Sequence, residues 1–302
     1  MKRTIARARP AFTLIELLVV VAIIALLISI LLPALRDARE QAKVARCLAN
    51  FRNLNVAATT YFSEHNDQFP FLVTYGVGWM GICSWAYGGK TSSDYWKTDH
   101  GGVFFITAQQ RPFNRYLVSG SIEPDLYEGD KIIKRTEIEA LKCPSDRESA
   151  MQNWENNQGA LPISSYDDIG TSYRYNLFAL IDVEWNGKRD PWTSPGSWSE
   201  RGQLLVRQVL LKHPSTYTMF MDDAMIRGIN NRLPLVGLHG RLNKHTVGFL
   251  DGHSAYVTAD TRGYCGPDWA AINPEWIKGF GYTPRPAHYF DWLRKNCNPP
   301  RN

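Results

Sequence analysis

Phe12 to Leu32 reads FTLIELLVVVAIIALLISILL, and the one charged residue in it is Glu16. About 20 apolar residues at 1.5 Å rise cover a ~30 Å hydrocarbon core, so this stretch spans a membrane as a single helix. Ahead of it, Lys2, Arg3, Arg7 and Arg9 stand in a segment, 1–11, that holds no acid. A basic flank stays on the cytoplasmic side. This predicts a single pass through the inner (cytoplasmic) membrane, with everything beyond Leu32 extracytoplasmic. A secretory signal peptide has a shorter apolar core, about 7–15 residues, and is cut behind it. A plain anchor fits the length but not Glu16, because a carboxylate in hydrocarbon costs roughly 2.5–3.5 kcal/mol. A cut between Ala11 and Phe12 supplies a reason for the acid. It frees an α-amine on Phe12, four residues from Glu16 and on the same helix face. A neighbouring subunit's amine is reached as easily. Pairing the two charges lowers the cost of burying either.

The stretch Ala11-Phe12-Thr13-Leu14-Ile15-Glu16-Leu17-Leu18-Val19 resembles the prepilin processing motif of type IV pilin-like (pseudopilin-like) proteins. The resemblance implies a prepilin peptidase that cuts before Phe12 and methylates the new N-terminus, with Glu16 as the assembly glutamate. Pro33 matches a proline that commonly follows the apolar run. The family usually has Gly before the cut, and this chain has Ala11, which is also small. The partners implied are the peptidase, the membrane and other pilin or pseudopilin subunits.

Further residues resemble a subfamily, the prepilin-type proteins with a C-terminal His…Asp-Gly motif. They are Cys47-Leu48-Ala49-Asn50-Phe51-Arg52-Asn53-Leu54, Asn66-Asp67-Gln68-Phe69-Pro70, Cys143-Pro144-Ser145-Asp146 and Ser172-Tyr173-Arg174-Tyr175-Asn176. Because both lie in matching stretches, the resemblance implies Cys47 and Cys143 as a disulfide pair. The subfamily has nine residues between its His and its Asp-Gly; His239 and Asp251 here enclose eleven.

The composition is that of a soluble globular protein apart from the N-terminus. The chain has 302 residues, 21% of them charged, with mean hydropathy −0.30 and net charge +5. Removing the four cations of the leader leaves +1, so the basic balance is a property of 1–11. No Lys/Arg-rich run occurs in the body, which argues against a nucleic-acid partner. The five cysteines, Cys47, Cys83, Cys143, Cys265 and Cys297, contain no CxxC pair. Taken by themselves they fit either exported disulfides or buried thiols.

Beyond Pro33, Leu35, Ala38, Ala42, Ala45, Leu48, Phe51, Ala58 and Phe62 recur near three-four spacing, which predicts one long helix over 12–62. Its length at 1.5 Å per residue is roughly 75 Å. Asn53 and Asn55 are weak helix formers and predict fraying. Residues 69–102 are rich in aromatics and glycine, including Trp79, Trp85, Tyr87 and Trp96, and read as loops with short strands. These rings either fill a loop-rich core or offer a surface to glycan or protein. Residues 153–202 read as a long irregular insertion. Residues 215–222 alternate as a strand. Residues 245–250 and 253–257 form a hairpin around Asp251-Gly252, whose positive φ angles suit a tight turn.

His239, Asp251 and His253 are candidate metal ligands by residue type, but Asp251 is expected to shape the turn, and no cofactor is expected. Asp222 and Asp223 are adjacent, and neighbouring strand residues face opposite ways. No nucleophile elbow, zincin motif or phosphate-binding glycine loop occurs, so no enzyme is expected. The expected architecture is α+β: leader 1–11, helix 12–62 spanning the membrane to about 32, and an extracytoplasmic head 63–302. In the head an antiparallel sheet packs on the helix amid irregular loops. The expected role is a subunit of a type IV pilus-like or type II secretion-like filament. The alternative is an anchored extracytoplasmic binding protein that does not polymerise.

Overall fold

The computed structural model describes residues 14–67, 70, 73–76, 79–149, 151–153, 160–176, 214–231 and 235–259, with backbone alone at 73–76, 79–82 and 229–231. Ala11, Phe12, Cys265 and Cys297 lie outside these residues. The chain divides into two compact units, 1–42 and 43–302. Helix α1, Leu14–Glu64, runs for 51 residues and is unbroken through Pro33. In the first unit it is exposed from Leu14 to Arg39. Among the described residues it is the helix long and apolar enough to cross a membrane.

In the second unit the same helix changes character. It buries Cys47, Asn50, Phe51, Leu54, Asn55, Ala57, Ala58 and Phe62, again at three-four spacing. The face differs from the one the apolar pattern predicts. Ala45 is exposed and Leu48 half-buried, while two asparagines lie inside. Their amides explain this. Asn50 Nδ2 donates to Lys142 O and to Tyr173 Oη, both at 3.1 Å. Asn55 Nδ2 donates to His253 O at 3.3 Å. Both amide nitrogens have acceptors, which removes most of the penalty for burying them, although Asn55 Oδ1 is buried without a partner. Asn55 therefore anchors the helix rather than fraying it, and α1 ends nine residues later. There Asn66 and Asp67 turn to φ 53° and 56°, and Asp67 N–H donates to Phe62 O at 2.9 Å. This closes the orphan carbonyls of the last turn.

The central sheet has four antiparallel strands, each hydrogen-bonded to the next in chain order. Two small hairpins accompany it, β1 (Val73–Gly76) with β2 (Trp79–Ile82) and β3 (Leu126–Glu128) with β4 (Lys131–Lys134). The central strands are β5 (Tyr173–Tyr175), β6 (Thr218–Asp222), β7 (Lys244–Phe249) and β8 (Ser254–Thr258). Short helices α2 (Asn114–Leu117), α3 (Ser165–Asp168) and α4 (Asp223–Asn231) fill the connections. The fold class is α+β, with the second part of α1 on this sheet. Phe51 packs at a tilt on Tyr173 of β5, with ring centroids 4.6 Å apart. A Cβ at Gly248 of β7 would sit 3.1 Å from the Phe51 ring, so the missing side chain is what lets helix and sheet meet this closely.

The predicted hairpin is present, with His245 opposite Val257 and Gly248 opposite Ser254. Its turn differs in detail. Gly252 N–H donates to Phe249 O at 3.0 Å, Phe249 N–H donates to His253 O at 2.9 Å, and of the Asp-Gly pair only Gly252 has positive φ, 96°. The connection is thus a three-residue loop with glycine in its left-handed position, and Asp251 needs no unusual backbone. Strand β5 lies inside the stretch read as an irregular insertion. Three residues are too few to show a period, and its middle residue is a buried arginine, Arg174.

Part of the aromatic segment is interior. Trp85, Tyr87 and Trp96 are buried. Trp85 and Trp96 lie 6.3 Å apart and both touch Phe104. Tyr87 packs on Phe113, Tyr175 and Phe220. The Trp79 side chain and the tryptophans of 177–213 lie outside the described residues. Buried polar hubs replace regular ladders in this loop region. Arg111 donates to Trp85 O at 2.5 Å, Gly88 O at 2.8 Å and Ile169 O at 2.7 Å. Asp168 accepts from Trp96 Nε1 at 2.8 Å and Ser149 Oγ at 2.6 Å. Arg111 satisfies carbonyls that irregular backbone would otherwise leave stranded, and Asp168 gathers side-chain donors.

Candidate functional site

Two places hold the residues to which the sequence assigns chemistry. The first is the start of α1. Glu16 is in its first turn and exposed, where a carboxylate suits the positive end of the helix dipole. Around it Leu14, Ile15, Leu17 and Leu18 are also exposed, Leu14 at 78%. The apolar run thus offers a continuous unburied surface. The Ala11–Phe12 bond precedes the described residues.

The second place is inside the head. Cys47 from α1, Cys143 from the Cys-Pro-Ser turn and His239 from the loop before β7 converge, all buried. Their ligand atoms lie within 4.8 Å of one another. The two Sγ atoms are 2.9 Å apart, and Cys143 Sγ is 3.7 Å from His239 Nε2. The Tyr173 hydroxyl donates to the Cys47 sulfur and is itself held by Asn50. The Ser145 backbone N–H donates to the Cys143 sulfur. The contact with Cys143 draws the Cys47 thiol well below its ordinary range, against burial, with help from His239 and Tyr173. Burial pushes Cys143 the other way, and the neighbouring Cys47 adds to that rise.

The metal candidates read from the sequence do not stay together. His239 joins the cysteines. Asp251 instead caps the β7–β8 turn, accepting from His253 N–H at 3.1 Å and meeting His253 Nδ1 at 2.5 Å. The His253 ring stacks on Phe249 at 3.9 Å. Among the described residues Cys47, Cys143 and His239 are the group with metal-ligand spacing. Their convergence could not be read from spacing, since each of the three is about a hundred positions from the next in the chain, and they stand on a helix, a turn and a loop.

The adjacent acids face opposite ways. Burial pushes Asp222 up, but His245 at 2.9 Å and the N–H groups of Thr246 and Met225 outweigh it and hold the carboxyl below its usual range. Asp223 pairs with Arg174 and accepts from Ser165 Oγ at 2.8 Å. Both carboxylates are therefore committed to structural partners rather than aimed at a common space. Asp146 is different. Burial pushes its carboxyl up to about 7, with Asp223 adding to the rise, against the Ser172 hydroxyl and the N–H groups of Ser165 and Tyr166.

Residues 7–32 match the family model described as the prokaryotic N-terminal methylation motif. Neither a curated protein nor a solved structure matches the chain. The matched span contains Ala11, Phe12 and Glu16, and it runs through most of the exposed apolar part of α1. The chain carries a prepilin-type methylation motif, which is consistent with a type IV pilin-like protein anchored in a membrane by its N-terminus.

Proposed function

We propose that the chain is a structural subunit of a type IV pilus-like or type II secretion-like filament, cut by a prepilin peptidase between Ala11 and Phe12. One observation supports this most: the methylation motif coincides with the start of an apolar helix whose large side chains from Leu14 to Leu35 are all exposed. Before cutting, lipid covers them and the basic leader stays in the cytoplasm, with the head on the extracytoplasmic side. After cutting, Phe12 carries an α-amine, and Glu16 of the same or a neighbouring subunit supplies its counter-charge. The helices then exchange lipid contacts for contacts with one another, and the apolar surface remains covered throughout. The motif points to a structural subunit rather than an enzyme. The interior placing of Trp85, Tyr87 and Trp96 removes part of the aromatic surface that an anchored glycan-binding protein would use.

The test is the N-terminus of the protein from its native membrane, together with a Glu16→Ala variant. A methylated Phe12 at the N-terminus is expected. Glu16→Ala should insert as well as the parent or better, because it removes a carboxylate that costs roughly 2.5–3.5 kcal/mol in hydrocarbon. It should fail to enter filaments. Native chain that retains Met1 to Ala11, or normal incorporation of the variant, refutes the reading.

A further inference from the structure

We propose that Cys47, Cys143 and His239 form a buried zinc(II) site that ties α1 to the head through two thiolates and one imidazole. The chemistry of the donors fits. Zinc takes thiolate sulfur at about 2.3 Å and imidazole nitrogen at about 2.0–2.1 Å, so tetrahedral ligands stand about 3.6–3.8 Å apart. Cys143 Sγ and His239 Nε2 already have that spacing, at 3.7 Å. The sulfurs, at 2.9 Å, need to part by under 1 Å. Closing to a cystine bond of about 2.0 Å needs a movement of similar size in the other direction.

The surroundings separate these two fates. Each sulfur receives a donor: the Tyr173 hydroxyl reaches Cys47 and the Ser145 N–H reaches Cys143. Donors to sulfur stabilise thiolates, and such outer partners orient and tune metal-bound ligands. A cystine sulfur is a weak acceptor and makes little use of them. Tyr173 is fixed in turn by Asn50, whose Nδ2 donates to its Oη at 3.1 Å, and the Cys143 backbone is held by its own N–H, which donates to Ser172 Oγ at 2.9 Å.

Charge selects the ion. Two bare thiolates in a fully buried place carry a large desolvation penalty. Zinc(II) cancels both, and a water in the fourth tetrahedral position keeps the cluster neutral, whereas copper(I) leaves one negative charge uncompensated. Binding displaces the two S–H protons to solvent, and the imidazole binds in its neutral form. The ligands come from residues 47, 143 and 239, so the site closes only once the head has folded around α1.

The test uses the full chain purified in detergent micelles without reductant. About one zinc per chain is expected by elemental analysis, with the Cys47 and Cys143 peptides alkylated separately after denaturation. Exchange of zinc for cobalt(II) should give an intense thiolate-to-cobalt absorption. Cys143→Ser should retain essentially no zinc. If that variant loses its near-UV circular dichroism, the cobalt spectrum of the parent protein decides instead. Metal-free chain whose two peptides travel as one reductant-sensitive species overturns the proposal in favour of a disulfide. Copper in place of zinc, free thiols that bind no cobalt, or zinc retained by a folded Cys143→Ser variant overturns it as well.

Discussion

Residues 14–35 and 47–62 belong to one unbroken helix, yet they follow opposite rules. The first stretch is almost wholly apolar, and every large side chain in it is exposed. The second mixes apolar and polar residues and buries both kinds, down to Asn50 and Asn55. Hydrophobicity alone therefore does not say where the protein core is. A stretch that is apolar on every face has no inner side and calls for a non-aqueous partner. A stretch with a mixed pattern can dedicate one side to a single fixed neighbour, and its amides select that neighbour by demanding particular carbonyls.

The largest expected break in this contrast comes from cutting back a ring. Phe51→Ala should destabilise the head by about 3–5 kcal/mol, since it empties the contact with Tyr173 and Gly248. Leu26→Ala, in the exposed stretch, should change head stability by no more than about 0.5 kcal/mol. Denaturant titration of tryptophan fluorescence in micelles measures both, and equal effects would dissolve the distinction.

A smaller effect is expected from the polar side of the buried stretch. Asn50→Ala leaves Lys142 O without its amide partner and frees the Tyr173 hydroxyl, for a loss of about 1–3 kcal/mol in the same titration. A neutral outcome would mean that the amide is only tolerated there.

A further effect concerns pH in the region α1 packs against. The folded pKa of Asp146, about 7, is above the unfolded value of about 3.9. The native state then binds the proton more tightly than the unfolded chain, so this group's contribution falls as pH rises from about 4 to 7 and is level above that. Asp146→Asn should flatten the stability-against-pH slope between those limits, whatever it does to absolute stability. Asp222 acts at the other end: its depressed pKa means that its contribution is present above about 3.9 and is lost as pH falls through the folded value.

Much of the frame was legible in the residues. Glu16 in an apolar run, the three-four spacing after Pro33 and Asp251-Gly252 between two strand patterns each carry a local signal. They correspond to α1 and the β7–β8 hairpin. What escaped is held by distant polar contacts. The buried face of α1 is turned toward Asn50 and Asn55 because their acceptors lie on segments some 90 and 200 positions away. Strand β5 is visible only through its pairing with β6, from Tyr173 opposite Asp222 to Tyr175 opposite Phe220. The loops around Trp85 and Trp96 are ordered by Arg111 and Asp168, whose partners are mostly backbone carbonyls or residues without periodicity. The same is true of the thiol cluster: Cys47 and Cys143 stood out through resemblance and His239 through residue type, but only folding brings the three together.

The attachment of α1 inside the head has a mechanical side. Asn50 grips Lys142, Leu48 O receives the Ser254 hydroxyl at 3.0 Å, and Asn55 grips His253, all within about two helical turns. A force drawn along the axis of this helical section meets these links side by side, with the Phe51 ring lodged over Gly248 as a detent. They share the load and must yield together, so this joint resists sliding far better than prying.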